Sequence, residues 1–153
     1  MMSEKTFNSV KHRLKVHDIF AQTVAEEIGM DRTVELFTQT AEKMGTIQGG
    51  LLRQQAGAKK FDAHMAATLV RATYENLGIS MKMEEESPRS ILLTCTSCPN
   101  YTAAHEVGID DKTIESWCRV GNIKFIDTVV KQLNPDLSFR LVKFRTTPKD
   151  SCE

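Results

Sequence analysis

The chain has 153 residues, 41% of them hydrophobic, and its 20 basic residues are balanced by 20 acidic ones. A chain of this length is expected to form one domain, over residues 1–153, that buries roughly two thirds of its unfolded surface, so its fold requires neither a metal nor a disulfide. The balanced charge argues against a nucleic acid partner. The sequence has no apolar run of about 18 residues and no apolar core of a secretory signal, so we expect no membrane partner and predict a cytoplasmic protein.

The first half of the chain has the periodicity of helices. Apolar residues at intervals of three and four predict a helix over residues 10–28 that ends at Gly29. A second helix is predicted from an N-cap at Asp31 to a stop at Gly45, followed by a short third helix over residues 47–55.

The middle of the chain changes from helical to strand periodicity. A longer helix is predicted over residues 61–77, with Asp62 near its start. Apolar and charged residues then alternate over residues 79–84, and the turn sequence Ser87-Pro88-Arg89 precedes the apolar run at residues 91–93. This pattern predicts a β-hairpin.

The second strand of that hairpin leads into a Cys-x-x-Cys-Pro motif formed by Cys95, Cys98 and Pro99. Proline is favoured at the first position of a helix because its missing N–H has no partner there, so Cys98 is expected at the N-cap. The positive end of the helix dipole lowers a cysteine pKa and favours the thiolate, which is both a nucleophile and a metal ligand.

The remaining segments predict two short helices, the second capped by Asp110 or Asp111, a break at Gly121 and a helix over residues 125–133. Residues 137–144 alternate in polarity and are predicted to form a strand that pairs with the hairpin. The expected fold class is α+β, with a helical N-terminal half packed on a small, mostly antiparallel sheet.

All four cysteines lie after residue 94, at Cys95, Cys98, Cys118 and Cys152. This clustering points to a metal site, a redox centre or a nucleophile. Four converging thiolates would favour a closed zinc site or an iron–sulfur cluster as the cofactor. A thioredoxin-like role is less consistent with the sequence, because the Cys-x-x-Cys motif does not follow an opening strand–helix–strand unit.

Several short motifs together resemble those of the L-2-amino-thiazoline-4-carboxylic acid hydrolase family. The motifs are Glu27-Ile28-Gly29, Met44-Gly45, Gly49, Cys98-Pro99, Gly108, Cys118, Asp127, Asn134-Pro135 and Cys152. The resemblance implies a small-molecule substrate and the hydrolytic opening of a cyclic isothiourea at a C–N or C–S bond, giving a carbamoyl-cysteine. A second resemblance, to 4-vinyl-reductase-like domains, implies a ligand-sensing or metal-sensing role.

Positions in the predicted fold suggest which residues would serve a hydrolase. Cys98 is the candidate nucleophile, or the ligand of a water-activating metal. His105 lies two helical turns further on and is a candidate acid or base, and Arg140 or Arg145 could hold a substrate carboxylate. The alternative is a non-enzymatic metal module in which all four cysteines are ligands, and self-association into a homo-oligomer is left open.

Structural roles explain some of these residue types equally well. Cys118 follows Trp117 in an amphipathic segment, which is typical of a small core residue. His17 and His64 lie on or near apolar helix faces and are interpreted as partly buried histidines.

Overall fold

The computed structural model describes residues 4–57 and 60–153. Six α-helices and one hairpin follow each other along the chain. They are α1 (Glu4–Ile28), α2 (Met30–Ala56), α3 (Ala63–Asn76), β1 (Ser80–Ser87), β2 (Ser90–Ser97), α4 (Pro99–Glu106), α5 (Asp111–Cys118) and α6 (Lys124–Leu133). Helices with a two-stranded antiparallel sheet confirm the α+β class. No helix in these two stretches has a sufficiently long apolar run to cross a bilayer.

Local sequence signals place several elements as predicted. Asp62 caps α3, because its carboxylate accepts a hydrogen bond from the backbone N–H of Met65. Asp110 caps α5 in the same way. The two strands of the hairpin pair antiparallel, with Met83 opposite Leu93. These features depend on contacts within a few residues, which is why the sequence alone predicts them.

The predicted N-cap at Asp31 and the predicted stop at Gly45 are both wrong. Helix α2 begins at Met30, after Gly29, and runs without a break to Ala56, so residues 47–55 are part of it. The reason is tertiary packing, because α2 lies along α6. A β-carbon at Gly45 would lie 2.7 Å from the carbonyl oxygen of Phe125, so glycine there serves the close approach of two helices.

The predicted break at Gly121 is also wrong. The chain stays helical from α5 into α6 through a single π-helical turn, Arg119–Ile123. Such turns insert one residue into a helix and often lie at functional sites. This one follows directly after Cys118.

The strand predicted over residues 137–144 does not form. The free edge of β2 is instead paired with the C-terminal end of the chain, since Cys95 and Cys152 exchange two backbone hydrogen bonds of 2.9 and 3.1 Å. Lys143 in turn exchanges backbone hydrogen bonds with Glu153. Cys152 therefore makes the backbone pairing of this segment with β2, and Glu153 extends that pairing to Lys143.

Two apolar clusters form the core. One joins α3, the hairpin and α6 around Tyr74, Leu93 and Ile126. The other joins α1, α4 and α5 around Ala21 and Trp117. Cys98 packs against both clusters, so the junction between β2 and α4 lies at the centre of the molecule.

Candidate functional site

The fold brings the four cysteines to one place. Cys95, Cys98, Cys118 and Cys152 all line a small cavity of about 60 Å³, and all four are free thiols. Cys95 is on β2, Cys98 on the turn into α4 and Cys118 at the end of α5. Cys152 reaches the group through its backbone pairing with Cys95.

Cys98 is the thiol that the surroundings ionise. It is the N-cap of α4, with Pro99 at the first helical position, as predicted. A hydrogen bond from the Cys95 thiol, together with the backbone amides of Tyr101 and Asn100 and the charge of Arg145, lowers the pKa of Cys98 to about 7, against the opposing effect of burial. Its side chain closes no capping hydrogen bond, so the amides act on the sulfur chiefly as aligned dipoles.

The neighbouring thiols keep their protons. The Cys95 thiol lies 3.6 Å from the Ser97 carbonyl oxygen, to which it can donate, and its interaction with Cys98 together with burial raises its pKa far above the ordinary range. Burial raises the pKa of Cys118 to about 12. Cys98 is therefore the favoured position for a thiolate among these three sulfurs at neutral pH.

A buried arginine lies against this cluster. Arg145 is only 1% exposed. Its Nε donates to the Cys152 sulfur at 3.3 Å, and its Nη2 donates to the Cys95 carbonyl oxygen at 3.0 Å. The guanidinium carbon lies 5.2 Å from the centre of the Tyr101 ring. A fixed positive charge thus stabilises negative charge on the sulfurs and joins the C-terminal end of the chain to β2.

Hydrogen bonds from Arg145 hold two of the four sulfurs, those of Cys95 and Cys152. Within residues 4–57 and 60–153, no three histidine, cysteine or acidic side chains are grouped so that they could hold a metal ion. A cation entering this cluster would meet the guanidinium charge, and these two sulfurs would have to exchange hydrogen bonds for metal bonds.

A second, larger cavity of about 370 Å³ opens beside the cysteines, with helices α1, α2, α4 and α5 contributing to its wall. Cys98, Cys118 and Cys152 lie on its wall. Most of the other side chains that line it are apolar or aromatic, and they include Leu14, Phe37, Ala41, Met44, Tyr101, Ile114, Trp117, Phe125 and Phe144. Enclosed apolar walls beside an ionisable thiol are typical of a small-molecule site.

Three polar side chains of this cavity were not predicted as site residues. Asp18 is 9% exposed, and its Oδ2 is buried with no hydrogen-bond partner. Its Oδ1 lies 3.7 Å from Nδ1 of His17, and this interaction raises the pKa of His17 more than burial lowers it. The Nε1 of Trp117 is likewise buried without a partner. One sequence signal points to Asp18, namely a carboxylate at helical spacing between Leu14 and Ala21 in an apolar stripe.

The structure places the predicted accessory residues away from the larger cavity. His105 is exposed on α4, where its ring stacks on Tyr101 at 5.9 Å. Arg140 is exposed and lines the small cavity. Arg145 lies behind the thiols. None of these three side chains contributes to the wall of the larger cavity.

No protein-family model, curated protein or solved structure matches this chain. The likeness to the thiazoline hydrolase family therefore stays a hypothesis that depends on short motifs. What the protein does has to be argued from the thiol cluster and the cavity beside it.

Proposed function

We propose that the protein is a thiol-dependent hydrolase that opens a cyclic thiazoline-type amino-acid derivative at a C–N or C–S bond. The observation that carries this proposal is the Cys98 thiol, whose pKa is lowered to about 7 at the edge of a cavity of about 370 Å³. Cavities of roughly 300–1,000 Å³ are typical of small-molecule sites. The motif resemblance supplies the substrate class.

The proposed chemistry uses the Cys98 thiolate as nucleophile. Its sulfur adds to the ring carbon between sulfur and nitrogen, and the electron pair of the C=N bond moves to nitrogen, which takes up a proton. The bond between this carbon and the ring sulfur or ring nitrogen then breaks, which opens the ring and leaves the carbon attached to Cys98. Water then adds to that carbon, the Cys98 thiolate departs, and the carbamoyl product is released.

The proton for the departing heteroatom has a candidate source in His17. His17 lines the same cavity as Cys98, and its pKa is raised by Asp18, so a larger fraction of its imidazole is protonated near neutral pH. We assign this role to His17 in preference to His105, because His17 lines the cavity and His105 does not.

The test is turnover of 2-amino-thiazoline-4-carboxylate by purified protein. Cys98→Ser is expected to abolish turnover while circular dichroism and the thermal midpoint stay close to those of the unmodified protein. Cys118→Ser is the matched control. It replaces a second thiol of the same cavity, whose pKa is raised to about 12, and it should retain turnover. Turnover by the Cys98 variant would refute the proposal.

A non-enzymatic metal module, binding zinc or an iron–sulfur cluster, is the second candidate. It is favoured by one observation, that all four thiols line the same small cavity. It requires the sulfurs of Cys95 and Cys152 to leave their present hydrogen bonds with Arg145. Metal analysis of protein purified without oxygen should then find stoichiometric metal that falls in each single cysteine variant. Equal metal content in all four variants would reject it.

A further inference from the structure

Unsatisfied polar atoms are concentrated at the larger cavity. In the described part of the chain, three buried side-chain atoms have no hydrogen-bond partner, and two of them belong to cavity residues, Asp18 and Trp117. The third, Nε of Arg71, lies 3.7 Å from a carboxylate oxygen of Glu75. A buried carboxylate oxygen without a donor is costly, so a ligand of this cavity that supplied the donor would be bound in part by relieving that cost.

The charge of the cavity wall specifies the kind of donor. Among the residues that the structure describes, Asp18 is the one acidic side chain on this wall, His17 beside it is the one histidine, and no lysine or arginine lines it. The surrounding surface is aromatic, with Phe37 stacked on His17 at 6.1 Å and edge-on to Trp117 at 5.6 Å. A carboxylate beside aromatic faces favours a flat organic cation, because the cation gains both a charged hydrogen bond and contacts with the rings.

We propose that Asp18 is the specificity-determining residue of this cavity and binds the N–C–N or N–C–S group of a planar, protonated amidine-type or isothiourea-type ligand. The Nε1 of Trp117 donates to an acceptor elsewhere on the same ligand. The inference deepens the proposed function and depends on it for the identity of the site. It adds that recognition is dominated by the cationic end of the substrate, since the cavity offers its carboxylate end no arginine or lysine.

The first test needs no variant. 2-Aminoimidazoline is a planar cation, and imidazolidin-2-one is a neutral compound of nearly the same shape. Trp117 is the sole tryptophan, so its fluorescence reports on the cavity during titration. The cation is expected to bind at least about tenfold more tightly than the neutral compound. Equal affinity would overturn the proposal.

The second test replaces the carboxylate. Asp18→Asn is expected to weaken 2-aminoimidazoline binding by at least about tenfold, and Glu27→Gln, which removes an exposed carboxylate from the same helix, should change it less than about twofold. Because Asp18 has an unpaired buried oxygen, its asparagine variant should melt at or above the temperature of the unmodified protein. Unchanged affinity, or a large loss of stability without weaker binding, would contradict the assignment.

The role of Trp117 is separated by adding a carboxylate to the probe. Trp117→Phe keeps an aromatic ring but removes the N–H. Calorimetry should show that Trp117→Phe weakens the binding of 2-aminoimidazoline-4-carboxylate more than the binding of 2-aminoimidazoline. An equal effect on both compounds would remove Trp117 from the proposal. All these experiments measure binding constants. The binding proposal can therefore be refuted while Cys98-dependent turnover persists, and it can hold for a protein that has no hydrolase activity.

Discussion

The ionisation of Cys98 can be tested by removing the donor that stabilises its thiolate. The Cys95 thiol hydrogen-bonds to Cys98 and is the largest cause of the lowered pKa. Cys95→Ala removes that donor and leaves the amides of α4 and the charge of Arg145 in place. We expect the pKa of Cys98 to rise.

The expected size of the rise follows from the two pKa values. An ordinary thiol with a pKa of 9.0 is about 1% ionised at pH 7, whereas Cys98, with a pKa of about 7, is about half ionised. That difference corresponds to about 3 kcal/mol of thiolate stabilisation. A hydrogen bond to a charged group accounts for roughly 1.5–3 kcal/mol, so its loss should raise the pKa to about 8 or higher.

Alkylation by iodoacetamide, read at Cys98 by peptide mass spectrometry across pH, measures this midpoint. The thiolate is the reacting form, so the rate should rise with pH through about 7 and then level off in the unmodified protein. The midpoint is a better measure than the rate at one pH, because a more basic thiolate is also intrinsically more nucleophilic. Cys95→Ser is the control. Its hydroxyl can still donate, so the midpoint should remain near 7.

Two results would refute this account of the cluster. One is a midpoint near 9 in the unmodified protein, which would mean that Cys98 is an ordinary thiol. The other is the same midpoint in the alanine and serine variants at Cys95, which would assign the lowered pKa to α4 and Arg145 alone.

Two further predictions concern the packing that holds the site. A β-carbon at Gly49 would lie 2.6 Å from the β-carbon of Gln132, so Gly49→Ala should force α2 and α6 apart and lower the free energy of unfolding by about 1–3 kcal/mol. A β-carbon at Gly50 would have no atom within 4 Å, so Gly50→Ala should raise the free energy of unfolding by about 0.5–1 kcal/mol. Urea unfolding distinguishes them, and equal shifts would contradict the close approach of the helices. Arg145→Lys keeps the charge but replaces the two nitrogens that reach the Cys152 sulfur and the Cys95 carbonyl oxygen with one, so it should lower the free energy of unfolding by about 1–3 kcal/mol. An unchanged unfolding midpoint would show that the guanidinium geometry is unimportant.

The parts of the fold that the sequence predicts are those fixed by neighbouring residues. The hairpin turn, the caps at Asp62 and Asp110, and Cys98 before Pro99 all depend on backbone groups a few positions away. Gly45 failed as a helix stop because its role is set by α6, about eighty residues later in the chain. A glycine that ends a helix and a glycine that admits a neighbour have the same sequence signature, and only the tertiary contact separates them.

The strand predicted over residues 137–144 failed for a related reason. Its alternating pattern is real, but a strand also needs a free edge, and the edge of β2 is paired with Cys152. The two backbone bonds between Cys95 and Cys152, together with the Arg145 side chain, occupy that edge at Cys95. None of these interactions leaves a periodic trace in the sequence.

For the candidate site, the sequence predicts the ionisable group better than its surroundings. Cys98 could be singled out because a helix dipole is a local property, whereas Arg145 and His105 were assigned from element positions, and the structure places both away from the larger cavity wall. Asp18 was not predicted as a site residue, because the apolar face of α1 is defined by its hydrophobic residues. In a folded protein the informative member of such a stripe is the one that opposes burial, because a buried carboxylate is retained only when something compensates for its charge. Asp18 satisfies that condition with one oxygen still unpaired, which is why the ligand-binding measurement is the sharper test of this cavity.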